Sequence, residues 1–368
     1  MRTASRVAFA LALCACIARA AAQQFPPVVP GMRLEFPRDH GAHPAFRTEW
    51  WYLTGHLRDA DGRALGFQVT FFRSRTGIGE DTASRFAPAQ LIFAHAALAD
   101  AGAGKLRHDQ RAARAGFGLA EARTGSAGIV LGDWTLVQTE HGFRAAVAAR
   151  EFDLQLDFAA PLAPLLQGDS ASPGFSRKGP GTRNASYYYS VPQLRASGTV
   201  SIRAENARAG AAHVTGVAWL DHEWSSELMP ATAQGWDWTG INFTEGSRKG
   251  GALMAFRMRA TDGSTLWSAG TLLEPDGAVA RLSGDQVAFV PEQRWRSPRS
   301  GIEYPVAMAV RANNVTWRLS PLLPDQELDA RAGTGAVYWE GAVTASRDGS
   351  PEGVGYLELT GYGRPLRF

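Results

Sequence analysis

Apolar and polar residues alternate with a period of two in one stretch of this chain after another, and that period points to strands. From Leu65 to Arg73, one face takes Phe67, Val69 and Phe71 and the other Gln68, Thr70 and Phe72. From Arg150 to Phe158, the residues Phe152, Leu154, Leu156 and Phe158 oppose Glu151, Asp153, Gln155 and Asp157. Further strands are expected over 252–258, 265–272, 306–310, 315–319, 336–343 and 355–360. Asp61-Gly62, Asp262-Gly263, Asp276-Gly277 and Asp348-Gly349 supply the turn chemistry that hairpins need. Ala89 to Asp100 is rich in Ala and Leu, a helical composition. Its Ile92-Phe93 centre and the turn at 100–102 also fit a strand, which is our reading. Many short strands at regular spacing make the chain all-β, a matter of barrels or sandwiches.

Residues 161–186 are Pro-, Gly-, Ser- and Arg-rich and aperiodic, which suits a lid, a crossover or a disordered loop. A second connector at 229–234 divides the chain into a domain at 23–228 and another at 229–368. Two β-rich halves allow an old duplication.

The first residues read as a secretory leader over 1–22. Arg2 and Arg6 are followed by an apolar run to Ile17 and by Ala20-Ala21-Ala22, with cleavage expected after Ala22. A periplasmic or secreted location follows. Leu13-Cys14-Ala15-Cys16 offers a weaker reading as a lipoprotein site, which would leave a lipidated Cys16. Both cysteines lie in the leader, so its removal excludes disulfides, thiolate metal sites and a cysteine nucleophile. The net charge of +3 is small, and no basic block interleaves with aromatics as a nucleic-acid groove requires. The pI of about 9.0 suits contact with anionic envelope membranes. Oligomeric state is not legible.

Tryptophan is where the chain becomes specific. Six of the 11 Trp fall in Thr48-Glu49-Trp50-Trp51-Tyr52, Trp219-Leu220-Asp221-His222-Glu223-Trp224 and Gly235-Trp236-Asp237-Trp238. On a strand, Trp219, Asp221 and Glu223 share one face and His222 and Trp224 the other, while Asp237 points away from Trp236 and Trp238. Carboxylates in an apolar chamber have raised pKa values and hold a proton near neutrality. Such an acid beside indole faces suits protonation of a carbon–carbon double bond, the rings steadying the resulting cation. His222 or a second carboxylate would then activate water. The competing reading is structural: Asp and Glu accepting indole and backbone N–H bonds where a barrel end is plugged or two domains are joined. Glu49 carries the same two readings, with Arg47 as its salt-bridge partner.

Other chemistries find less support. His40, His43, His56, His95, Asp221, His222 and Glu223 are ligand types without a recognised ligand spacing, so no metal is expected. There is no Gly-x-Ser-x-Gly elbow, and Ser225-Ser226 beside His222 is adjacency only. Gly246 to Gly251 lacks the setting of a phosphate loop. His95, on the Phe93 face, reads either as a ligand contact or as a satisfied core histidine.

Taken in order, Thr48-Glu49-Trp50-Trp51-Tyr52, Phe93-Ala94-His95-Ala96, Tyr187-Tyr188-Tyr189-Ser190 and the two later Trp-and-acid clusters resemble the AttH/carotenoid 1,2-hydratase family from about Pro37 onward. The resemblance implies two packed lipocalin-like β-barrels, the second beginning near Met229, and a cofactor-free pocket for a hydrophobic small molecule or lipid. Carotenoid hydratases of the family add water to a terminal isoprenoid double bond, with His, Trp, Tyr and Asp as catalytic types. His222 and Trp224 match the His-x-Trp element and Asp237 the Asp; Trp236 and Trp238 stand where a Tyr is expected. Fungal relatives with paired lipocalin-like domains catalyse cyclisations, so the scaffold hosts more than one reaction.

The expectation is an exported hydratase-like protein. Asp221, His222, Glu223 and Asp237 are the catalytic candidates. Glu49, Trp50, Tyr52, His95, Tyr188, Trp224, Trp236 and Trp238 are the candidate pocket residues. A lipid-binding or carrier protein of the envelope is the alternative, and a secreted hydrolase the third reading.

Overall fold

The computed structural model describes residues 25–84, 86–204, 207–208, 210–333 and 335–366. The leader read over 1–22, with Cys14 and Cys16, lies outside them. Thr48–Asp59 is the pivot of a first sheet, pairing antiparallel with Ala64–Arg75 on one side and Ala212–Glu227 on the other. Strands then follow chain order round the sheet. Gln90–Asp100 and Lys105–Arg114 extend one flank. Ala185–Ala204, Phe152–Ala159, Gly142–Ala148, Trp134–Thr139, Gly128–Leu131 and Ala120–Ala122 extend the other. The two edges curl back towards each other, and Arg111 from one side lies 4.7 Å above the Trp134 ring of the other. The result is a nearly closed up-and-down barrel.

Residues 228–232 lead into a second sheet with the same cyclic order. Its first strand, Ala233–Phe243, pairs with Ala252–Ala260 and with the last, Ser350–Leu359. Its gap falls between Val279–Leu282 and Val287–Arg296. In both sheets the gap therefore follows the fourth strand. The architecture is all-β and lipocalin-like, as the alternation and the resemblance led us to expect.

The period-two pattern fixes the inner faces. Phe67, Val69, Phe71, Phe152, Leu154, Leu156 and Phe158 fill the first barrel, and Ile241, Phe243, Leu253, Trp317 and Trp339 the second. The Ala- and Leu-rich stretch forms the strand Gln90–Asp100, because ladders on both sides outweigh its helical propensity. Within 161–186, Leu165–Leu166 and Phe175–Arg177 pair with the strand Ala185–Ala204, so this segment lies along the first sheet.

What joins the halves is a second apolar layer on the outer faces. Tyr52, Tyr188 and Trp219 pack against Trp238, Met254, Phe256 and Tyr356. Two glycines permit the close approach. A Cβ on Gly240 would stand 3.0 Å from the Trp219 ring of the first sheet, and one on Gly66 would meet Ala342 Cβ at 2.4 Å. Asn242 stitches the contact, donating Nδ2–H to Ala218 O at 3.1 Å and accepting from Gln193 N at 2.7 Å.

Candidate active site between the two sheets

Register assembles a cavity between the outer faces. On the first sheet, Trp50 sits opposite Phe72 and Glu223, and Glu223 opposite Tyr188. Two residues along, Tyr52 sits opposite Thr70 and Asp221, and Asp221 opposite Ser190. On the second sheet the matching row is Glu340, Glu358, Trp238 and Phe256. The pairs Trp50/Tyr52, Asp221/Glu223, Trp236/Trp238 and Tyr338/Glu340 are each two apart on one strand, which points both members the same way. The enclosed space is about 650 Å³ out to its mouth, but only about 70 Å³ admits the centre of a water molecule. One water needs about 10–15 Å³ by that measure, so the cavity is a slot for several waters or a slender ligand.

Acids dominate its polar lining. Asp221 accepts from Tyr188 Oη at 2.6 Å, Ser190 Oγ at 2.5 Å and Trp219 Nε1 at 2.7 Å. Burial nevertheless pushes its carboxyl up to about 7 against those donors. Glu223 receives Lys178 Nζ at 2.7 Å and the Ser186 hydroxyl. Glu358 accepts from Trp236 Nε1 at 2.9 Å, and burial, aided by the charges of Asp221 and Glu223, raises it to about 7. Glu340 faces Glu358 directly across the ladder, where like charges repel. Burial first and the Glu358 charge second hold it well above the usual carboxylate range. Side by side and buried, the two disfavour simultaneous ionisation.

The structure sorts the expected residues into two places. Asp221, Glu223, Trp50, Tyr52, Trp236 and Trp238 line the cavity. Tyr188 stands behind it, holding Asp221. His95 is one layer back, 2.7 Å from Tyr338 Oη, and burial lowers it to about 3, so it is neutral. Glu49, His222 and Trp224 face the interior of the first barrel. His222 Nε2 pairs with Glu49 Oε1 at 2.9 Å, and its Nδ1 lies 3.1 Å from both the Asp39 carbonyl and Tyr189 Oη. Glu49 also takes His43 Nδ1–H at 2.7 Å and Arg73 Nε–H at 2.7 Å, so its buried partner is Arg73 rather than Arg47. Burial would raise Glu49, but the hydrogen bonds from His222 and His43 and the Arg73 charge hold it below its ordinary value. His43 stacks on Trp224, with centroids 3.7 Å apart.

Asp237 likewise points inward, into the second barrel. It receives Arg257 Nε at 2.6 Å, Arg259 Nε at 2.9 Å and Tyr362 Oη at 3.0 Å. It is the counterpart of Glu49: each inward acid on a first strand faces an Arg of the second strand, Glu49 with Arg73 and Asp237 with Arg257.

His43, Glu49 and His222 place three ligand-type atoms within 4.8 Å of one another. They are satisfied by each other, and the Arg73 guanidinium already supplies the positive charge a cation would bring. In the cavity, sequence reasoning had not singled out Glu340, Glu358, Tyr338 or Lys178. A lone acid within an otherwise apolar strand was the available signal for the two glutamates. Lys178 comes from an aperiodic segment and carried none. Chemically, the cavity gathers four carboxyl groups in one aromatic chamber, three of them raised so as to hold or release a proton near neutrality.

The sequence profile described as AttH-like matches residues 27–362. A solved Nitrosomonas europaea protein, designated a candidate AttH, is 48% identical, with a TM-score of 0.82 over 92% of this chain and 99% of its own. Kievitone hydratase from Nectria haematococca is 11% identical, with a TM-score of 0.65 over 91% of this chain and 93% of its own, a likeness of fold. Among curated proteins, no sequence match is found.

Proposed function

Since the chain belongs to the AttH-like family, we propose that it is a hydratase-type enzyme that adds water across a double bond of a slender lipophilic molecule in the cavity between its sheets. The reading is supported above all by Asp221, a carboxyl raised to about 7 and held by Tyr188, Ser190 and Trp219 against an aromatic chamber. The π electrons of the alkene take the proton of neutral Asp221, leaving a carboxylate and a carbon cation. Trp50, Trp236 and Trp238 present rings to that cation. Water attacks it and passes its spare proton to the ionised member of the Glu340/Glu358 pair. Proton exchange with solvent restores both acids, and the net change is one H and one OH added. The chain's own carboxyl groups supply acid and base, so the proposal calls on no cofactor. Export past the inner membrane, with the leader removed, belongs to the same proposal.

The test is mass spectrometry of lipophiles that co-purify with the protein, followed by incubation in heavy-oxygen water. Gain of one labelled water supports hydration. A bound lipid that stays unchanged supports a carrier, and release of two fragments supports hydrolysis.

A further inference from the structure

We infer that the cavity between the sheets is a receptor for a positively charged organic group, an ammonium on a slender apolar body. This goes beyond the hydration reading, because it concerns the charge of the ligand and stands whether or not water is added.

Four carboxyl groups line the slot, and Lys178 is the only basic side chain lining it among the described residues. Lys178 is committed to Glu223 at 2.7 Å. The other three acids have neutral O–H and N–H neighbours: Asp221 has Tyr188, Ser190 and Trp219, Glu358 has Trp236, and Glu340 has the hydroxyls of Tyr52 and Tyr338 nearby. Glu340 Oε1 and Tyr52 Oη make no well-aligned hydrogen bond among the described residues, the hydroxyl and the carboxyl interacting without one, although the two residues are only 4% and 6% exposed. Groups so deeply buried ordinarily have partners.

The walls suit a cation. Trp50, Tyr52, Trp236, Trp238 and Tyr338 present rings, whose faces attract positive charge, strongly so when it is desolvated. A cation already rests on neighbouring rings: Lys178 Nζ lies 4.5 Å above the Phe256 ring of the lining and 4.7 Å above the Tyr188 ring behind it. An anionic ligand would oppose ionisation of three carboxyls that have no cation beside them, a neutral one would leave them protonated, and a cation would let one of them ionise against it. An ammonium meets the rings and the acids together.

Choline and 3,3-dimethylbutan-1-ol share shape and hydroxyl and differ by nitrogen for carbon, so they isolate the charge. Binding of each to the full-length protein is measured by calorimetry and tryptophan fluorescence. Choline should bind at least about tenfold tighter, and the preference should shrink several-fold in Glu340→Gln and Glu358→Gln. Equal or tighter binding of the alcohol, no binding of either, or a choline preference unchanged in both variants would overturn the inference. A choline preference without hydration leaves the inference standing and removes the hydratase reading. Hydration without a choline preference does the reverse.

Discussion

Tyr188 donates its phenolic O–H to Asp221 across 2.6 Å, and the same oxygen accepts the indole N–H of Trp238 at 3.0 Å. One hydroxyl thus ties the acid of the first sheet to the aromatic wall of the second. Tyr188→Phe removes a donor and an acceptor from buried partners at once. Denaturant unfolding should show a loss of about 1–3 kcal/mol. Asp221, short of a donor to its ionised form, should titrate higher still. An unfolding curve matching the parent's would show that the bridge does not hold the sheets.

The two aspartates should behave in opposite ways. Asp221→Asn removes the proposed proton donor, with turnover falling at least about a hundredfold. Its fold should persist, because a carboxyl that resists ionisation is replaced by a neutral amide. Asp237→Asn leaves Arg257 and Arg259 buried without their countercharge, at about 3–5 kcal/mol of stability. Turnover per folded molecule should survive. Kinetics beside thermal melts, run on both variants, separate the roles, and the opposite outcome would exchange them.

Stability should fall as pH climbs through the cavity acids. Asp221, Glu340 and Glu358 are raised, so the folded chain holds protons the unfolded chain has released. Their contribution is complete below the ordinary carboxylate range; that of Asp221 and Glu358 is lost as pH passes about 7, and that of Glu340 is lost as pH rises through its own raised value. Glu358→Gln removes one raised acid and lowers the other, since the Glu358 charge helps to raise Glu340. The variant should therefore gain on the parent between melts at about pH 5 and about pH 8. A constant difference would exclude the coupling.

Inside the first barrel the sign reverses. Glu49 is held low, so its contribution is present above the ordinary carboxylate range and is lost in strong acid. His43 is raised by its bonds to Asp39 and Glu49 despite burial, so its share is present below about 6.5 and fades as pH rises. Glu49→Gln should cost about 3–5 kcal/mol near neutrality, read from denaturant melts.

For the leader, intact-mass measurement of protein from the native host's periplasm should find a chain beginning at Gln23. A mass retaining residues 1–22 would remove the export proposal.

One wall of the cavity was open to sequence reading and the other was not. Period two separates Asp221 and Glu223 from His222 and Trp224, and the structure keeps them on those opposite faces. It cannot say which face meets the other sheet. Glu340 and Glu358 each resemble a single acid on a solvated strand until the hairpin between Ala336–Arg347 and Ser350–Leu359 sets them side by side. Asp237 alternates away from its tryptophans as expected, but its commitment to Arg257 depends on pairing with the strand Ala252–Ala260. Lys178 arrives from a segment with no periodicity.

The matched inward pairs, Glu49 with Arg73 and Asp237 with Arg257, let each barrel secure its own interior with no help from the other. Their outer faces are thereby released from holding the barrel interiors together. Two copies of one barrel would confront each other with identical walls. A single chain carrying both can make the walls unlike, with Asp221 and Lys178 on one side and the paired glutamates on the other. Addition of two unlike fragments to the two ends of one bond needs that inequality.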